Sequence, residues 1–164
     1  MKALFYTGIG IAALWLQLTV APLIEVGGVK VNLPLITMLV MGVYWLEPWV
    51  FVYGALSGLA MDVFSHGIVG IYALSFFGVS FLSRYAGMSL YENNILFGSI
   101  AVAGLSFVEG VVSITLLHTL DAGIPWWRWI FFHALPGALY NGLFAPLVFL
   151  VMIRLGRRFR AGEN

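Results

Sequence analysis

The chain has no cysteine among its 164 residues, which excludes disulfides, thiolate catalysis, iron–sulfur clusters and cysteine zinc sites together. Charge is nearly as scarce: eight lysines and arginines face seven aspartates and glutamates, 9% of the chain, against roughly 25% in a soluble domain. The net charge of +1 carries no basic patch interleaved with exposed polar residues, so nucleic acid is not an expected partner. Catalytic signatures are missing as well. Gly-x-Ser-x-Gly, His-Glu-x-x-His and the phosphate-binding glycine loop do not occur, and no enzymatic activity is expected. His66, His118 and His133 lack paired spacing, and Asp121 lies only loosely near His118, so no metal or other cofactor is expected either.

What the sequence has is apolar surface. Hydrophobic residues make up 62% of it and the mean hydropathy is +0.99. They fall in long runs separated by short polar breaks, the pattern of an all-α membrane protein rather than of a barrel, whose strands alternate. No internal repeat or linker divides the chain, which predicts a single integral membrane domain over residues 1–164.

Six short transmembrane helices in one compact bundle fit the runs, at about 3–23, 33–46, 48–65, 68–88, 94–118 and 128–153. The first run, Ala3 to Val20, is longer than a signal-peptide core, and Pro22 follows the only small-residue cleavage point; it reads as a retained helix. The second and third are cramped. Pro34 to His66 gives about 50 Å of helix where two crossings need about 60 Å, so either the Glu47-Pro48 turn is tight or the two form a re-entrant pair.

Six spans place both termini on one side, and the basic tail Arg154, Arg157, Arg158 and Arg160 makes that side cytoplasmic by the positive-inside rule. Lys2 and Arg84 agree with it; Lys30 and Arg128 fall outside. The tail reads as an anchor on anionic lipid, with a cytoplasmic protein as the alternative. Outside, Ile24 to Val31 alternates apolar and polar residues around Gly27-Gly28, a two-residue hairpin signal whose register sets Glu25 opposite Lys30. Trp126, Trp127 and Trp129 read as an interfacial belt.

The stretch from Gly54 to Gly70, GALSGLAMDVFSHGIVG, holds a lone acid in an otherwise apolar segment. Gly54, Gly58 and Asp62 are spaced by four and share one helix stripe, with Ser65 one turn beyond. Such glycines let another helix backbone approach. An aspartate at that depth costs roughly 2.5–3.5 kcal/mol, so Asp62 is expected to face the bundle interior and find donors there. Ser57, Ser65, Tyr72, Ser75 and Asn141 are the candidate donors. Glu109 on the fifth helix and Asn141 on the sixth are the other buried polar residues, and with Asp62 they line one central pocket or serve only to fix helix packing. Pro146 removes a backbone donor from the last helix and frees the carbonyl of Gly142. A second small-residue stripe runs along Ala134, Ala138 and Gly142. Gly54, Gly58 and this stripe are the expected contacts for a partner's helix.

Gly54-x-x-x-Gly58-x-x-x-Asp62-x-x-Ser65 followed by Gly70 resembles the glycine-aspartate-serine signature of the rod shape-determining protein MreD family. Pro34 opening the second helix, and Asn141-Gly142 and Pro146 ahead of a basic tail, extend the likeness over nearly the whole chain. The resemblance implies a non-enzymatic inner-membrane scaffold of the bacterial cell-elongation machinery. Its implied partner is MreC, and through it the actin-like MreB and the peptidoglycan synthases. It also implies a fold similar to the substrate-binding subunits of energy-coupling-factor transporters. The alternative is a small-molecule-binding or transport subunit built on the polar residues Asp62, Glu109 and Asn141.

Overall fold

The computed structural model describes residues 2–45, 48–65, 68–89, 94–120 and 125–161, and within them the side chains of all but 2–4, 44–45, 65, 89 and 157–161. The fold is all-α, as expected. Helix α1 (Lys2–Thr19) is followed by a 3-10 turn (Ala21–Ile24), α2 (Leu33–Val40) runs on into a π-helical turn (Met41–Trp45), and α3 (Val50–Ser65), α4 (Ile71–Ser89) and α5 (Ile95–Leu120) come next. Helix α6 (Trp126–Trp129) widens through a second π-helical turn (Ile130–Ala134) into α7 (Leu135–Ala161), so the last three form one continuous rod.

Several boundaries differ from expectation for local reasons. The first helix stops at Thr19 rather than near 23, because Pro22 supplies no amide donor for another turn and the Thr19 hydroxyl turns back onto the Trp15 carbonyl at 2.8 Å. The last begins earlier, behind Pro125, and ends at Ala161 rather than near 153. Pro146 sits inside α7 without ending it. The Glu47-Pro48 turn is half outside the described residues, as is the whole of Asp121 to Ile124.

Helix α2 is the hub. It touches α1, α3, α4, α5 and α7, and every residue from Pro34 to Val40 is buried. A helix that is apolar all round requires such enclosure. With its π turn it measures about 20 Å.

Around it the outer helices pair through small residues. A Cβ on Gly54 would lie 3.1 Å from the Phe76 carbonyl oxygen, and one on Gly58 2.7 Å from the Cα of Ala73, so α3 and α4 meet backbone to backbone. Helix α5 and the last rod do the same: a Cβ on Gly142 of α7 would stand 2.7 Å from the Ala103 Cβ, and one on Gly110 2.8 Å from that of Ala134 in the π-helical turn.

Beside the apolar core, several hydroxyls are buried and many large apolar side chains are exposed. Ser57, Ser75, Ser80, Ser83, Ser106 and Ser113 are buried, whereas Leu74, Leu96, Ile100, Leu139 and Leu143 are exposed. The buried hydroxyls of Ser57, Ser80 and Ser83 are donated to carbonyls of their own helices, at 2.5–2.8 Å, and so add no unpaired group to the core. Helix α5 and the rod over Trp126–Gly156 are long and apolar enough to cross a membrane.

Candidate functional site

Three connections meet at one end of the bundle. The first is the hairpin, and it forms as the sequence predicts: Val26 and Val29 exchange backbone hydrogen bonds at 3.0 Å, and Gly27 and Gly28 sit at φ +60° and +82°, as the two-residue turn demands. Lys30 pairs with Glu25 at 3.2 Å. The hairpin is held down by α7, whose Tyr140 hydroxyl donates to the Ile24 carbonyl.

The second is the start of α4, and it explains Asp62. The carboxylate is 1% exposed and accepts the backbone N–H groups of Gly70, Tyr72 and Ala73 at 2.9, 2.9 and 3.0 Å. A helix leaves its first N–H groups unpaired and carries partial positive charge there; Asp62 of α3 satisfies both needs for α4. Gly70, at φ +108°, makes the turn that brings these amides round. Asp62 therefore faces inward as expected, but these donors are backbone amides, not the side chains proposed from the sequence.

The third cluster caps α2. Asn141 Oδ1 accepts the Asn32 N–H and Gln17 Oε1 the Leu33 N–H, each at 2.8 Å, while the Asn32 side chain accepts the Leu35 N–H at 3.2 Å. Helices α1 and α7 thus both fasten the start of the hub helix. Gln17, Asn32 and Tyr140 were not singled out in the sequence. Gln17 carried a signal, being the one amide side chain of α1.

Between these caps lies a cavity of about 460 Å³. Glu25 and Gly28 to Asn32, Tyr72 of α4, Trp129, the α5 residues Ser106, Glu109 and Ser113, and Asn141 of α7 all line it. Glu109 is buried and accepts hydroxyl hydrogen bonds from Ser113 at 2.6 Å and Ser75 at 3.1 Å, both on Oε1. Ser113 and Ser75 are themselves 3.1 Å apart. The Ser106 hydroxyl, one turn before Glu109, has no hydrogen-bond partner among the described residues. His133 stacks on Trp129 with centroids 4.3 Å apart and is exposed; no cluster of three metal-ligating side chains occurs among the described residues.

No protein family, curated protein or solved structure matches this chain.

The geometry redistributes the expected site residues. Glu109 and Asn141 share the cavity, whereas Asp62 is spent on α4 and is not part of its lining. The small-residue stripes are likewise occupied within the chain: Gly54 and Gly58 by α4, and Ala134 and Gly142 by α5, with Ala138 buried. That corrects their assignment as contacts for a partner's helix, because a second backbone cannot enter where one already sits. The side chains of Ser65, Arg157, Arg158 and Arg160 lie outside those described, and Arg154 is exposed.

What the stripes leave open is a groove beside α1. It has a volume of about 590 Å³, runs from Phe5 to Val20 on one wall and from Phe144 to Leu155 on the other, and contains Thr37 as the only polar side chain among the described lining residues. At Gly8, within it, an added Cβ meets nothing within 4 Å.

Proposed function

We propose that this chain is a multi-pass membrane scaffold of the MreD type, seated in the bacterial inner membrane with both termini cytoplasmic. In this reading the exposed leucines and isoleucines face lipid, the arginine tail lies on anionic headgroups, and the hairpin and cavity face outward. The series Gly54, Gly58, Asp62 and Gly70 is then an architectural unit: two glycines for close approach, an acid to cap the next helix and a glycine to turn the chain.

The observation that carries the scaffold function is the apolar groove between α1 and α7. It is long enough for several helical turns, and Gly8 leaves room for a backbone. Its occupant is the single membrane helix of MreC, which in turn connects to MreB and the peptidoglycan synthases. The fold likeness to energy-coupling-factor substrate-binding subunits belongs to the same proposal.

Co-purification with MreC from membranes tests it. Ala12→Leu, which fills the groove, is expected to lose the partner, while Leu74→Ala on the exposed side of α4 retains it. A cysteine placed at Ala12 in this cysteine-free chain is expected to cross-link to the MreC helix. If Ala12→Leu retains MreC as well as the wild type does, the groove is not the contact.

A further inference from the structure

We infer that the cavity at the hairpin end is a binding site for a small organic cation, a primary ammonium group on an apolar or aromatic body. The inference does not depend on the scaffold reading. Two polar groups in its wall are incompletely satisfied. Glu109 receives its two hydroxyl hydrogen bonds on Oε1, and no hydrogen bond from a described residue reaches Oε2. Ser106 is three residues earlier on the same helix face, 3% exposed, and its hydroxyl is unpartnered. A buried carboxylate and a buried hydroxyl each cost free energy unless a donor or acceptor reaches them. A primary ammonium, with three N–H donors and a positive charge, answers both.

The cavity's other features suit the same chemistry. Its one lysine, Lys30, is at the hairpin and already paired with Glu25, so the one permanent positive charge among the described lining residues is already matched. Phe64, Tyr72 and Trp129 supply aromatic faces that attract a cation and hold an apolar body. The volume falls within the roughly 300–1,000 Å³ of small-molecule pockets.

The experiment is calorimetric titration of the purified protein in detergent with tyramine, and with tyrosol as its uncharged counterpart of the same shape. Tyramine is expected to bind saturably and tyrosol about tenfold more weakly or not at all. Glu109→Gln is expected to abolish that preference, and Ser106→Ala to weaken tyramine severalfold with a melting temperature no lower than that of the wild type. Should Glu109→Gln fail to fold, Gly137→Leu provides the second arm: the nearest atom to an added Cβ there is Val29 Cγ1 at 3.9 Å, so the new side chain occupies the cavity and tyramine binding is expected to vanish. Equal affinity for the two probes, an unaltered preference in Glu109→Gln, tyramine binding in Gly137→Leu at wild-type strength, or no saturable binding at millimolar tyramine overturns the inference.

Discussion

The Asp62 carboxylate and the Gly70 amide, eight residues apart, are joined at 2.9 Å, so the acid near the end of α3 fixes where α4 begins. The same carboxylate reaches Tyr72 and Ala73. One buried side chain thereby sets both the separation and the register of two helices.

Removing it should be costly. Asp62→Ala leaves three helix N–H groups without this acceptor and is expected to lower stability by about 2–4 kcal/mol, and Asp62→Asn, which keeps one oxygen, by about 1–2 kcal/mol. Thermal unfolding in detergent measures both. An Asp62→Ala variant that melts with the wild type would show that the cap contributes nothing.

Glycines in this chain are expected to differ sharply by position. Gly58→Ala forces a methyl against the backbone of Tyr72 and Ala73 and should cost about 1–3 kcal/mol. Gly104→Ala meets nothing within 4 Å and should be neutral or gain up to about 1 kcal/mol from helix propensity. Folded yield and melting temperature of the pair decide it, and equal behaviour would contradict the close α3–α4 approach.

The two amide side chains on the α2 terminus should act together. Asn141→Ala and Gln17→Ala each strand one backbone N–H, at about 1–3 kcal/mol apiece. Because Asn32 and Leu33 are adjacent, the double variant should depart from additivity by about 0.5–3 kcal/mol. Strict additivity in a double-mutant cycle would mean that the caps are independent.

Hydrogen exchange reads the hairpin directly. The Val26 and Val29 amides are bonded to each other's carbonyls and should be protected in the wild type. Gly28→Val, strained at φ +82°, is expected to erase that protection, whereas Lys30→Glu, which breaks an exposed pair, should reduce it only slightly. Rapid exchange of both amides in the wild type would remove the hairpin from the fold.

Features set by neighbours in the sequence were the legible ones. The Gly27-Gly28 turn, the Glu25–Lys30 pairing and the helical runs depend on local geometry and apolar pattern, and all are found. Spacing also identified Gly54, Gly58 and the inward face of Asp62. It could not say whose backbone the glycines meet, because a small-residue stripe looks the same whether its neighbour is α4 or another protein. The three backbone donors to Asp62 were missed for a related reason: backbone amides are in every residue, so sequence reading turned to side chains. A hint was present, since the turn ahead of Ile71 offers Gly70 where an aspartate, asparagine, serine or threonine cap would normally stand. Gln17, Asn32 and Asn141 lie up to 109 residues apart along the chain for a single bond, and no periodicity links them.

The enclosure of α2 bears on how the protein is made. In the membrane reading, a segment of about 20 Å whose residues Pro34 to Val40 are all buried cannot wait in the bilayer as a span of its own. The Asn32 N–H at its start is also without its acceptor until Asn141, 109 residues later, has been made. In that reading integration is concerted: the early helices are retained together at the insertion machinery, and the chain passes into the bilayer as a unit once α7 has emerged.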